Sequence, residues 1–156
     1  MLQSFGFWER GLAKKVMKYL RTQDQLENIG EIPPGALSPS EFSGTWLNTN
    51  TDNPGIVSVS CKVEGNVLRV RFEGNGSSEP PDWDEASAEL LCAANVHGGP
   101  AMSFVAFFDL GFKKVRAGAN LNQGLLVIAL YHSFENNDGG RSDYFSREFF
   151  CRTTQS

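Results

Sequence analysis

Apolar and polar residues alternate with a period of two along most of the chain after residue 42. This period is typical of strands that bury one face and expose the other. The clearest case is a pair of segments at about 55–64 and 67–73, which the turn residues Glu64-Gly65-Asn66 separate, so the two segments predict a hairpin. In the first segment, the alternation places on one face Val57, Val59, Cys61 and Val63.

The same pattern continues almost to the end of the chain and predicts eight strands. Turn residues such as Asn122-Gln123-Gly124 separate them, and a polar segment at about 74–85 forms the longest loop. We therefore expect an all-β fold, an antiparallel eight-stranded up-and-down barrel, which an N-terminal amphipathic helix precedes. The strands are predicted at about 43–49, 55–64, 67–73, 86–94, 102–110, 113–121, 123–134 and 143–152.

The strand at about 123–134 is apolar on both faces through Leu125–Leu130. A strand of this kind is covered on its outer side as well. The sequence leaves open whether the N-terminal helix or a second subunit covers it. A homo-oligomer that forms through this strand is therefore one expectation.

The N-terminal part of the chain has a different pattern. Its apolar residues recur every three to four positions, which predicts an amphipathic helix over residues 2–22. We divide the chain into a basic helix at 1–29, a Pro/Gly linker at 30–41 and a barrel domain at 42–152. Three roles stay open for the helix: packing on the barrel, peripheral contact with an anionic membrane surface, or binding of a partner.

The net charge of −4 hides an uneven distribution. Residues 1–22 carry five cations against one acid, so the remaining residues carry a net charge of −8. An acidic body argues against nucleic-acid binding, because contact with phosphates requires a basic face.

Cysteines and missing motifs narrow the class of protein further. Cys61, Cys92 and Cys151 are odd in number, lie in apolar strand-like segments and have no metal-ligand spacing. They predict free buried thiols in a reducing compartment, and hence a cytoplasmic location. The sequence has no phosphate-binding loop, nucleophile motif or metal-ligand triad, so we expect neither a metal nor another cofactor.

The segment Phe42-Ser43-Gly44-Thr45-Trp46 resembles the first strand of the calycin superfamily, which includes lipocalins, fatty-acid-binding proteins and avidins. Fatty-acid-binding proteins begin with a similar Phe-x-Gly-Thr-Trp, and avidins follow Gly-x-Trp closely with an asparagine, as Asn48 does here. Calycins also place an arginine of the last strand over the tryptophan. Because alternation puts Phe145, Arg147 and Phe149 on one face, the resemblance implies that Arg147 lies over Trp46.

The chain departs from each of these families. It lacks the helical lid of fatty-acid-binding proteins, since only Asn48 to Pro54 separate the first two strands, and it lacks their Arg-x-Tyr carboxylate clamp. The later tryptophans of avidins have no counterpart, so biotin is not the expected ligand. A leader of about 40 residues is foreign to all three.

The resemblance implies that the barrel binds a small, largely apolar ligand, with a carboxylate or carbonyl end near Arg147. The candidate ligand-binding residues are Trp46, Asn48, Phe72, Phe108, Tyr131, Arg147 and Phe149.

Two other functions stay open. Some calycin-like barrels, such as allene oxide cyclase, steer the cyclisation of a reactive polyene through shape and a few polar groups. A cofactor-free cyclase or isomerase of this kind is the first alternative. The alternating phenylalanines at about 102–110 fit a filled core as well as a lined pocket, so a protein-interaction module is the second.

Overall fold

The computed structural model describes residues 36–53, 55–94, 98–135 and 140–154, which form a closed barrel of eight antiparallel strands. Two further short strands, at Leu37–Ser38 and Gly99–Pro100, pair in parallel outside it. A 3₁₀ turn at Ser40–Phe42 precedes the first barrel strand. The strands are β1 (Leu37–Ser38), β2 (Gly44–Asn48), β3 (Ile56–Glu64), β4 (Val67–Gly74), β5 (Glu85–Leu91), β6 (Gly99–Pro100), β7 (Ser103–Asp109), β8 (Lys113–Asn122), β9 (Leu125–Phe134) and β10 (Tyr144–Arg152).

The structure confirms the predicted fold class. Each barrel strand pairs with the next one in the chain, and β10 closes the ring by pairing with β2. All eight predicted strands coincide with barrel strands to within a few residues. The helix predicted over 2–22, and the linker as far as residue 35, lie outside the described residues.

The strand that is apolar on both faces is β9, and it forms a ten-residue ladder with β8. Gln123 and Gly124 join the two strands with φ angles of 50° and 81°. Two left-handed residues in succession form a hairpin turn that matches the twist of the sheet. Every second residue of β9 then faces the core, where Leu126, Ile128 and Leu130 are fully buried.

An irregularity in β3 corrects one detail of the predicted alternation. The register between β3 and β4 shifts between Ile56 and Ser58, as at a β-bulge. Because the bulge adds a residue to one strand only, it changes which side chains face inward. Val57 is exposed, whereas Ile56 and Val59 are buried.

One end of the barrel, which we call the closed end, is filled by aromatic rings. The indole of Trp46 is buried, and its Nε1 donates a hydrogen bond to the carbonyl of Phe42 over 2.9 Å. The ring of Phe42 meets that of Phe104 edge to face, with centroids 5.1 Å apart. The 3₁₀ turn, which directly precedes β2, therefore covers this end of the barrel with the Phe42 ring.

The arginine over Trp46 is Arg152, so the expectation for Arg147 is wrong. The Arg152 guanidinium lies 4.3 Å from the Trp46 ring centroid and donates to the carbonyls of Ser43 and Glu41. In the register, Arg152 pairs with Trp46. Phe150 therefore points inward and is buried, while Phe145, Arg147 and Phe149 point outward and are exposed. Because Phe145 and Phe149 lie on the outer face of β10, the alternation of apolar residues indicated the wrong face as the core face.

The cysteines are less uniformly buried than the sequence predicts. Cys61 is buried, and burial raises the pKa of its thiol to about 12. Cys92 and Cys151 are exposed. Only Cys61 behaves as the inert core thiol that was expected of all three.

We expect Arg152→Met to lower the free energy of unfolding by about 1–2 kcal/mol, because it removes a cation–π contact and two charged hydrogen bonds at a partly solvated site. Urea denaturation measures this loss. Arg147→Met, the matched change on the outer face of the same strand, should stay within about 0.5 kcal/mol of the wild type. Equal losses in the two variants would contradict the assignment of Arg152.

Candidate functional site

The opposite end of the barrel encloses charged and polar side chains, and we call it the polar end. Here the ammonium of Lys113 lies 2.6 Å from both carboxylate oxygens of Glu79. The two side chains are 2% and 6% exposed, so the ion pair is almost fully removed from water. Charged groups are rarely buried to this degree unless they are paired.

The connection between β4 and β5, at residues 75–84, brings Glu79 into the barrel. It folds back on the end of β4, where the amide of Gly74 donates to the carbonyl of Pro80 over 2.9 Å. A Cβ on Gly74 would overlap Glu79 and Pro80, so this approach requires glycine. The side chain of Asn75 accepts hydrogen bonds from the amides of Ser77 and Ser78 and thereby fixes the first turn of the loop.

Tyr144, the first residue of β10, joins this pair. Its hydroxyl donates to Glu79 over 3.2 Å and lies 3.4 Å from the Lys113 ammonium. Burial and the negative charge of Glu79 raise the pKa of the phenol above its ordinary value. Tyr144 is therefore a neutral hydrogen-bond donor at physiological pH.

The imidazole of His132 stacks on the Tyr144 ring, with centroids 4.0 Å apart and planes within 9°. Its Nε2 lies 3.3 Å from the Ser146 hydroxyl, while its buried Nδ1 has no hydrogen-bond partner. Burial, and then the charge of Lys113, lower the pKa of His132 from 6.5 to about 4. The ring is therefore neutral at pH 7 and has one nitrogen unsatisfied.

Three aromatic rings form a wall beside these groups. Trp83 packs against Phe72 and Phe108 with centroid distances of 5.4 and 5.5 Å, and Phe72 lies 4.6 Å from Phe108. The Trp83 indole is 1% exposed, yet its Nε1 has no acceptor. Buried polar groups without partners are uncommon, so each one requires an explanation.

Glu148 provides a second carboxylate, farther along β10. It accepts hydrogen bonds from the side-chain amides of Asn48 and Asn53 over 2.7 and 2.6 Å. Burial raises the pKa of Glu148, although these hydrogen bonds oppose the shift. Two carboxylates against one ammonium give the polar end a formal excess of one negative charge.

The structure separates the seven predicted ligand-binding residues into three groups. Phe72, Phe108 and Asn48 face the interior towards the polar end, and Trp46 lies in the closed end. The other three, which were expected to contact the ligand, lie on the outer face and are exposed. They are Tyr131, Arg147 and Phe149.

Most of the polar end was missed at the level of sequence. Lys113 and Glu148 occupy inward positions of otherwise apolar or aromatic strands, and a charge in the core phase of a strand could have identified both. His132 has no partner that the sequence reveals, because Tyr144 and Ser146 lie on a different strand. Glu79 gave no indication at all, since a glutamate in a polar loop is normally solvated.

Comparisons with protein-family models, with curated proteins and with solved structures found no match for this chain. Within the described ranges, no group of three or more His, Cys, Asp or Glu residues is placed to hold a metal ion. None of the helical segments that the structure describes has the length and apolar character needed to cross a membrane.

We expect the protein to lose stability in mild acid through His132. Its pKa is about 4 when folded and near 6.5 when unfolded, so the native state binds fewer protons between these values. The free energy of unfolding should fall by up to about 3 kcal/mol as the pH drops from about 6.5 to 4. The raised pKa of Glu148 acts in the opposite direction and reduces the total.

Urea denaturation at several pH values tests this expectation. His132→Phe keeps a ring against Tyr144 but cannot titrate, so its stability should change less steeply over this range. His97→Gln, at the only other histidine in the sequence, should keep the wild-type slope. If His132→Phe also keeps that slope, another group causes the acid sensitivity.

Proposed function

We propose that this protein binds a small, largely apolar ligand that carries one neutral hydrogen-bonding group, a carbonyl or a hydroxyl, at the polar end of its barrel. The observation that carries this proposal is the pair of unpartnered buried atoms, Trp83 Nε1 and His132 Nδ1, inside a fold that is compatible with ligand binding. A ligand atom inside the barrel is one way to provide these two nitrogens with hydrogen-bond partners.

The chemistry of the surroundings favours this class of ligand. The indole N–H of Trp83 can only donate, so it requires an acceptor such as a carbonyl oxygen. The neutral imidazole of His132 accepts or donates at Nδ1 according to its tautomer, which suits a carbonyl or a hydroxyl. The rings of Phe72 and Phe108 offer an apolar surface for the rest of the molecule.

An anionic head group fits less well. Arg147, the cation that was expected to bind a carboxylate, lies on the outer face, and Lys113 is already paired with Glu79. A ligand carboxylate would approach Glu79 and Glu148, and like charges at close range in a poorly solvated site repel strongly. Of the two head groups that the sequence left open, the carbonyl is therefore preferred.

Access from the polar end is favoured because Phe42 and Trp46 fill the closed end. Tyr144 lies at the mouth, partly exposed, with its hydroxyl against Glu79.

Fluorescence titration with prodan, a neutral naphthalene that carries one ketone, tests the proposal. We expect saturable binding of one probe per chain. Trp83→Phe keeps a ring in the wall and removes the N–H donor, so it should weaken binding about 2- to 10-fold, the effect of one neutral hydrogen bond.

The matched control is Arg147→Met, which changes a long side chain on the outer face only and should leave prodan affinity unchanged. The anionic probe cis-parinaric acid should bind more weakly than its methyl ester. No prodan binding, or equal losses in Trp83→Phe and Arg147→Met, would exclude a ligand site at the polar end.

A cofactor-free isomerase is the second candidate. The raised pKa of Glu148 favours it, because a carboxylate of increased basicity, held in place by the Asn48 and Asn53 amides, is suited to moving a proton on a bound ketone. Glu148 would remove a proton from the carbon between the carbonyl and the double bond, and the electron pair would move onto the carbonyl oxygen. As that pair returns to re-form the carbonyl, the protonated Glu148 would give the proton to the far carbon of the original double bond, which leaves a double bond conjugated with the carbonyl.

The ultraviolet absorbance of conjugated product measures this activity with cyclohex-3-en-1-one. We expect wild-type turnover above the buffer rate and its loss in Glu148→Gln, while prodan still binds. Equal rates in the two proteins would exclude the isomerase and leave the binding proposal intact.

A further inference from the structure

The outer face of β7–β10 differs from the outer face of β2–β5. It exposes four aromatic side chains, Phe107, Tyr131, Phe145 and Phe149, with exposed fractions of 61%, 54%, 52% and 43%. The described residues of the β2–β5 face expose no aromatic ring and form ion pairs such as Lys62–Glu64 and Arg71–Asp82. The exposed aromatic rings of the barrel strands are thus concentrated on one side of the barrel.

The strand register orders the unusual face into rows that cross all four strands. The aromatic row consists of Phe107, Arg116, Tyr131 and Phe145. The central row, next to it, consists of Val105, Gly118, Ala129 and Arg147. A depression of about 540 Å³ adjoins the aromatic row at Phe107 and Tyr131. The depression lies on the side of the aromatic row away from the central row. The centre of the face is low for a separate reason, because Gly118 and Ala129 carry the smallest side chains of the face.

We propose that a second copy of this chain docks on this face. The two copies would be related by a two-fold axis that lies in the interface and runs parallel to the strands, between β8 and β9. Such an axis brings β7 of one copy opposite β10 of the other and keeps each row opposite itself. Aligned packing of two sheets face to face is one of the two common arrangements.

This axis makes the aromatic row complementary to itself. It places Phe107 opposite Phe145 of the partner subunit, and Arg116 opposite Tyr131 of the partner subunit. Each contact forms twice, once from each copy. Ring–ring and guanidinium–ring contacts are both favourable, and Tyr, Phe and Arg are enriched at the centres of protein interfaces.

The central row permits the close approach that these contacts need. Gly118 lies opposite Ala129 of the partner subunit, so the two sheets meet where their side chains are smallest. A Cβ on Gly118 would contact no atom within 4 Å, so the space above it is open in a single copy. Barrel walls are convex, and a low centre lets the surrounding rings touch as well.

Charge selects this axis over the other in-plane axis, perpendicular to the strands. The perpendicular axis through the central row would place Arg147 opposite its own copy, which is unfavourable. The parallel axis places Arg147 opposite Val105 of the partner subunit and no arginine opposite another. Neither Arg116 nor Arg147 forms an ion pair with any described residue, and the Arg116 guanidinium lies 5.7 Å from the Phe107 ring centroid of its own chain.

The size of the face is sufficient for an association. Four strands and five residue rows cover roughly 19 by 27 Å at ordinary β-sheet spacings, a footprint on the order of 500 Å². Protruding rings add accessible area to this footprint, which compares with about 800 Å² per partner in a standard interface.

The molar mass of the full chain, measured by light scattering during size exclusion at micromolar concentrations, tests the proposal. We expect the wild type to be a dimer, and Gly118→Glu and Ala129→Lys each to be a monomer, because each buries an unpaired charge at the centre. An equimolar mixture of the two variants should regain the dimer, since the glutamate of one faces the lysine of the other.

Thr45→Glu, on the exposed face of β2, is the matched control and should remain a dimer. Circular dichroism and melting temperature verify that the variants are folded, which the open space above Gly118 allows. A monomeric wild type, a dimeric Gly118→Glu, or a mixture that stays monomeric would overturn the proposal. Prodan binding by Gly118→Glu should equal that of the wild type, so this test is independent of the ligand site.

Discussion

The buried ion pair between Lys113 and Glu79 is the constraint on which the polar end depends. Taking both charges out of water is costly, and their mutual attraction, the Tyr144 hydroxyl and the Trp83 ring 5.4 Å from the ammonium offset it. Removal of either partner would leave an uncompensated buried charge, at a cost of about 3–5 kcal/mol. The pair therefore fixes the loop at 75–84 to the polar end, and the charge of Lys113 adds to burial in lowering the pKa of His132.

The two ends of the barrel differ in how completely their buried polar atoms are hydrogen-bonded. At the closed end, Phe42, Trp46 and Phe104 bury apolar surface with one satisfied indole, as a core built for stability does. At the polar end, a second buried indole, that of Trp83, lacks an acceptor although the rings around it pack well. The contrast between two tryptophans in one core supports a ligand site over a merely imperfect core, because the same fold satisfies one of them completely.

Much of the fold could be predicted from the sequence, and little of the site. The period of two located all eight barrel strands, because burial of one face dictates that pattern wherever a strand forms. It could not decide which face of β10 is inside, since Phe145 and Phe149 are as apolar as core residues and Glu148 lies on the buried side. The polar end was hidden for a related reason. Its polar members come from β2, β8, β9 and β10 and from two loops, and only the three-dimensional register brings Glu79, Lys113 and Tyr144 together.

The pairing of β10 with β2 joins residues about a hundred positions apart, as Phe150 and Asn48 show. Such contacts close a large loop and are gained late, so this barrel belongs to the slow-folding topologies. During synthesis, β2 has one unpaired edge until the last strand has left the ribosome, and an open edge invites pairing with other chains. Arg152, two residues beyond the last buried ring of β10, is then more than a cap for Trp46. Its contact with Trp46 forms only when β10 pairs with β2 and closes the barrel. A chain shortened by a few C-terminal residues would keep every hairpin but lose the pairs that close the barrel.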